Sequence, residues 1–169
     1  KGDDGIILSE KDGDHHALLN NGEIYKSFIY EADVEIINGI SAGLVIGVDN
    51  PDNVPAFWYA VNFNTDGDAD FARLFKVAGG VTNYTCISKE EATSKIDFTQ
   101  TVHMYVEVDE NGNFVYKLSN ADNQNVIERN GTIGDWNGGY IGLLTFKSEA
   151  EFSNIKFTDT SGKNFKTDL

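Results

Sequence analysis

The stretch Phe28-Ile29-Tyr30-Glu31-Ala32-Asp33-Val34-Glu35-Ile36 alternates apolar and polar side chains, and a period of two is the pattern of a strand with one buried face. Two more segments follow it: Ala42-Gly43-Leu44-Val45-Ile46-Gly47-Val48-Asp49-Asn50, and Ala56-Phe57-Trp58-Tyr59-Ala60-Val61-Asn62-Phe63-Asn64. The second is a short apolar run bracketed by glycines, and the third combines aromatic rings with amides. Three such segments in succession form the body of a β-sheet. Polar and aromatic groups on a stiff sheet mark a surface suited to recognition.

Working toward the C-terminus, Asn50-Pro51-Asp52-Asn53 reads as a loop, and Thr65-Asp66-Gly67-Asp68-Ala69-Asp70 reads as a turn into a strand over Phe71 to Val77. If this hairpin closes symmetrically, Arg73 lies opposite Asn62. Ala78-Gly79-Gly80 turns again before a strand over Val81 to Ser88, and the polar run Lys89 to Ile96 has room for one helical turn only. Val102, Met104, Val106 and Val108 alternate with His103, Tyr105, Glu107 and Asp109, and Glu110-Asn111-Gly112-Asn113 returns the chain into Phe114 to Leu118. Asn120 to Asn123 is a turn, Gln124 to Asn130 a strand, Gly134 to Gly139 a connection, and Tyr140 to Phe146 and Ala150 to Thr158 two final strands. Toward the N-terminus, Asp12-Gly13-Asp14 reads as a turn, His15 to Leu19 as a short strand and Asn20-Asn21-Gly22 as another turn. About eleven strands without a long amphipathic helix predict an all-β protein, a two-sheet antiparallel β-sandwich of jelly-roll type.

The length of 169 residues suits one domain spanning 1–169. No apolar run approaches the roughly 20 residues needed to span a bilayer. With 13 basic against 27 acidic residues, the net charge of −14 repels phosphate backbones and anionic lipid. Nucleic acid and membrane are therefore excluded as partners, whereas a neutral glycan meets no such repulsion. Cys86 is the only cysteine, which rules out an internal disulfide. The start at Lys1-Gly2-Asp3-Asp4 reads as an excised module or a mature fragment.

Tyr30-Glu31-Ala32-Asp33-Val34, the run Gly43 to Ile46, Trp58 to Asn62, Leu74-Phe75-Lys76, Gly139 to Leu143 and Ala150 to Ile155 follow one another in an order that carries a resemblance. From about Asp12 to Phe157 the chain resembles the fructan-binding modules of bacterial levanases and related fructan-cleaving glycoside hydrolases, carbohydrate-binding module family 66, within the concanavalin-like sandwich group. The resemblance implies a non-catalytic module that binds a polysaccharide or oligosaccharide end outside the cell or at its surface, joined to a catalytic domain of the same polypeptide. By position it implies sugar-binding roles for Asp14 in an Asp-Gly-Asp turn, Glu31 in a Tyr-Glu strand and Tyr59. Two positions depart from it: Gly47 stands where the levan binders carry arginine, and Phe146 where they carry tryptophan. A guanidinium fork can hold two neighbouring hydroxyls and glycine cannot. Arg73 is the candidate substitute.

Sugar recognition needs flat apolar surfaces for C–H faces and fixed donors and acceptors for hydroxyls. Trp58, Tyr59, Trp136, Asp14, Glu31 and Asn62 are of the right types, although adjacent Trp58 and Tyr59 must face opposite ways and Trp136 also suits a plug at the sandwich end. Asp66, Asp68 and Asp70 alternate in a loop and are candidate ligands of a structural calcium, although the twelfth position of an EF-hand loop would fall on Val77. His15 and His16 point to opposite faces and cannot share a metal. Glu31-Ala32-Asp33-Val34-Glu35 lacks the spacing of a concanavalin-like hydrolase, and no nucleophile elbow, zinc-protease helix or phosphate loop is present. The alternative to a sugar-binding module is a structural or adhesin-type sandwich packed against a neighbouring catalytic domain.

Overall fold

The alternation that begins at Phe28 persists for 21 residues. In the computed structural model, which describes residues 5–19, 23–50, 57–65, 70–79, 83–91, 96–121, 125–161 and 166–168, it forms one continuous strand, β2 (Phe28–Val48). The strands before and after it are β1 (Ile6–Leu18), β3 (Phe57–Asn64), β4 (Phe71–Ala78), β5 (Tyr84–Glu91), β6 (Val102–Val108), β7 (Asn113–Ser119), β8 (Val126–Thr132), β9 (Tyr140–Asp159) and β10 (Lys166–Asp168). All pairings among them are antiparallel. No helix occurs among the described residues, and so none there is long and apolar enough to cross a membrane.

Two long strands build both layers. The first half of β2 pairs with β6, the second half with β3, and β9 runs beside it along nearly its whole length. One layer is therefore β5-β4-β3, the second half of β2, the first half of β9, and the Asp14–Leu18 end of β1, whose Ile6–Glu10 end follows β9 past the bend. The other is β8-β7-β6 with the remaining halves of β2 and β9, and β10 at its edge. The bends fall where the registers slip, between Ile36 and Asn38 and at Gly39, whose φ of 109° few other residues adopt. On β9 the corresponding irregularity is Lys147, at φ 48°. Between the layers lies one core of Tyr30, Val34, Leu44, Tyr59, Phe63, Leu74, Met104, Tyr116, Leu118 and Phe152 with their neighbours. Where β5 and β8 approach, Arg129 pairs with Glu90, so the sandwich is nearly closed.

The two-layer antiparallel architecture expected from the sequence is what the chain adopts, with some boundaries moved. Segments 28–36 and 42–50 are one strand, as are 140–146 and 150–158. Asp12 to Asp14 is not a turn but an irregularity inside β1, where the register to β9 shifts between Glu10 and Asp14. At Gly39 and at Asp12 to Asp14 the reason is the same: short Gly and Asp signals serve a bulge as well as a turn. Lys89 to Glu91 extends β5 instead of starting a helical turn, β5 begins at Tyr84 and β8 at Val126. The expected turn at 20–22 and most of the loop at 50–53 lie outside the described residues, as do Asp66 and Asp68.

Candidate functional site

Register decides which side chains meet. Ser41 lies beside Asn64 and Phe146, and Asp14 beside Phe146 on its other side, so that Asp14, Phe146, Ser41, Asn64 and Phe71 form one row across β1, β9, β2, β3 and β4. The next row is Leu144, Gly43, Asn62, Arg73 and Lys89. On β2, β3 and β4 both rows belong to the outer face of this layer, because the intervening residues Ala42, Leu44, Val61, Phe63, Ala72 and Leu74 fill the core.

A hydrogen-bonded chain crosses that face. Arg73 Nε donates to Asn62 Oδ1 at 3.1 Å, Asn62 Nδ2 donates to Ser41 Oγ at 2.6 Å, and Ser41 Oγ donates to the Phe63 carbonyl at 2.9 Å. The Ser41 amide is itself held by Ser148 Oγ at 2.8 Å. Asn62 is only 2% exposed, so its amide is fixed by protein partners before any ligand arrives. Among the described residues, the contact with Asn62 is the only hydrogen bond of the Arg73 guanidinium. Its central carbon lies 4.6 Å from the Phe75 ring centroid, 5.0 Å from Tyr84 and 5.2 Å from Phe71. Three rings therefore orient a half-buried cation whose terminal nitrogens are aimed by the Nε anchor.

Beside the cage, on the same outer face and sharing Phe75 with it, is a second apolar cluster of Val45, Val48, Trp58, Ala60, Phe75, Val77 and Leu144. Trp58 packs edge-on against Phe75 at 5.6 Å and so buttresses the cage. It is buried, and Tyr59 is fully buried on the opposite face of β3, so neither ring offers a flat surface to a ligand. The Tyr59 hydroxyl donates to Asp135 Oδ1 at 2.8 Å, while Lys76 pairs with the other carboxylate oxygen. Burial first, and then the Asp135 hydrogen bond, push the Tyr59 hydroxyl well above the usual phenol range. Lys76 and the Tyr59 hydroxyl hold the Asp135 carboxyl below its ordinary value. Trp136 closes this end of the sandwich, with its indole N–H donating to the Lys26 carbonyl at 2.8 Å and its ring 5.7 Å from Tyr59.

That plug explains Gly47. Its φ is +64°, and a Cβ built there would come within 2.6 Å of the Trp136 ring and 2.9 Å of Tyr59. No side chain fits at this position while Trp136 occupies its place.

The seven residues singled out from the sequence do not form one group. Asn62, Arg73 and Phe146 lie on the face just described, with Asp14 in the same backbone row and Trp58 buried farther along the same face. Glu31 lies on the outer face of the other layer, opposite Tyr105 and Lys156, with its carboxylate 3.5 Å from His103 Nε2. Asp70, immediately before β4, is partly exposed at the rim of the Arg73 face. Ser41, Phe71, Phe75 and Tyr84 were not read from the sequence as site residues. Phe71 and Phe75 could have been, since both are two positions from Arg73 on one strand and so share its face.

No protein-family model matches the sequence, and no curated protein sequence does. Solved structures do match. The carbohydrate-binding module CBM66 from Bacillus subtilis superposes with a TM-score of 0.66 at 23% identity, over 88% of this chain and 83% of that one. The legume lectin-like domain from Entamoeba histolytica gives 0.61 at 10% identity, over 92% and 87%. The exoplasmic/lumenal domain of VIP36, solved in a form bound to Ca2+ and Man3GlcNAc, gives 0.56 at 12%, over 90% and 75%. The chain thus shares the all-β, lectin-like jelly-roll fold of these proteins.

Proposed function

We propose that the chain is a non-catalytic carbohydrate-binding module that grips a glycan end, a fructan terminus being the first candidate, on the face carrying Arg73, Asn62 and Ser41. The observation that supports it is the chain Arg73–Asn62–Ser41, which aims a guanidinium from within a cage of three rings. A guanidinium fork suits vicinal hydroxyls, and exposed Tyr84 with partly buried Phe146 supplies apolar edges for C–H groups. The similar structures include a carbohydrate-binding module and a domain solved with a bound glycan, which favours the same reading. Arg73 takes over the task that Gly47 cannot perform. The module would hold a linked extracellular hydrolase near its substrate, with weak affinity, roughly micromolar to millimolar, as few contacts on an open face allow.

The test is affinity electrophoresis of the chain through gels containing levan, inulin or an unrelated glucan. Retardation in a fructan gel that disappears in Arg73→Ala supports the proposal. Unretarded migration in both fructan gels contradicts it and favours the structural or adhesin-type role. A bound calcium at the 66–70 loop is a separate proposal, checked by whether chelation lowers the melting temperature.

A further inference from the structure

The outer face of the other layer holds a cleft of about 250 Å³, lined by Asp33, Thr101, His103, Asn120 and Ala121. It lies where β6 begins and β7 ends, on the side of the sandwich away from Arg73. Its walls are held by their own hydrogen bonds. Asn120 Oδ1 accepts from the Asp97 amide at 2.8 Å, and its Nδ2 donates to the carbonyls of Asp97 at 2.8 Å and Thr101 at 3.2 Å. One Asp33 oxygen is 2.7 Å from His103 Nδ1, and the other accepts from Asn154 Nδ2 at 2.7 Å. The Thr101 hydroxyl donates to Glu35 at 3.3 Å, which leaves its oxygen available as an acceptor.

We infer that this cleft is a second ligand site, for a neutral polyhydroxylated group of monosaccharide size. A hydroxyl has a proton to give, and the cleft presents acceptors for it: carboxylate and hydroxyl oxygens from Asp33 and Thr101, beside the His103 ring. Asp33, Glu31 and Glu35 crowd this region with negative charge, so an anionic sugar or phosphate is disfavoured. The volume falls just below the roughly 300–1,000 Å³ of pockets that take drug-sized molecules, which suits one ring and not a chain. Walls fixed before binding reduce the ordering cost. With one site on each outer face, the module can hold a glycan chain on one and a single free sugar ring on the other.

The experiment is a two-dimensional amide NMR titration of the full chain with fructose, glucose and mannitol, repeated in Arg73→Ala, Thr101→Val and Ala121→Phe. Ala121 is exposed, so the phenyl ring blocks the cleft without disturbing the core. The expected result is a saturable shift of the Thr101, His103 and Asn120 amides that persists in Arg73→Ala. It should weaken roughly three- to tenfold in Thr101→Val, the effect of one neutral hydrogen bond, and vanish in Ala121→Phe. No saturable shift at these amides with any of the three polyols overturns the inference, as do shifts unchanged in Ala121→Phe. Because Arg73→Ala removes only the first site, loss of either binding event is read independently of the other.

Discussion

Arg73 and Asn62 face each other across the β3–β4 hairpin and are joined by a 3.1 Å hydrogen bond from Nε to Oδ1. Because Asn62 is buried and passes the chain on to Ser41, the guanidinium is tied to the centre of the sheet.

Removing the middle of that chain should affect both stability and binding. Asn62→Ala takes away the acceptor of Arg73 Nε and the donor to buried Ser41 Oγ, at a cost of about 1–3 kcal/mol. Urea denaturation should show the midpoint falling, whereas Arg73→Lys, which removes only the Nε anchor of a half-exposed side chain, should move it little. An unchanged midpoint in Asn62→Ala would mean that the network does not hold the sheet.

Gly47 is expected to tolerate no side chain. Gly47→Ala adds a Cβ against Trp136 in a left-handed conformation, and strain of this kind with overpacking costs about 1–3 kcal/mol or more. Gly47→Arg should likewise lower the melting temperature and bring no gain in fructan affinity. A stable Gly47→Arg protein with tighter binding would show that the guanidinium belongs there after all.

Trp58 is expected to behave as core. Trp58→Ala should cost about 3–5 kcal/mol, the range for deleting a buried aromatic ring, while Trp58→Phe should retain ligand affinity. If Trp58→Phe kept its melting temperature but lost binding, the ring would be a ligand contact.

Burial raises the phenols of Tyr30, Tyr59, Tyr105 and Tyr116 above their ordinary value of 10.0. Tyr59 and Tyr105 are raised further by the carboxylates of Asp135 and Glu107. A folded pKa above the unfolded one means that the stabilisation is complete below pH 10 and is lost as the pH rises through the folded values. Tyrosinate absorbance followed against pH should therefore show the core phenols of Tyr30, Tyr59 and Tyr116 ionising together with loss of the fold. Smooth ionisation of all seven tyrosines while the circular dichroism stays native would contradict their burial.

Much of this was legible in the sequence because β2, β6 and β7 obey strict alternation, and because the hairpin closing on Asn62 and Arg73 is symmetrical. The division of β2 between two layers was not, since nothing local to Phe28–Val48 says which half faces which partner. That is why Glu31 and Arg73, both sound candidates by residue type, lie on opposite outer faces. The burial of both Trp58 and Tyr59 was hidden because almost every residue of β3 is covered on both sides, which erases the alternation that would have sorted them. Gly47 was legible as a missing arginine but not as a necessity, because Trp136 lies far from it in sequence.

Isothermal titration of levan into the wild-type chain, Arg73→Ala and Glu31→Ala tests the central claim most directly. The account predicts heat of binding in the wild type, its loss in Arg73→Ala, and its retention in Glu31→Ala. Heat that survives in Arg73→Ala but disappears in Glu31→Ala would place the fructan on the other layer and contradict it.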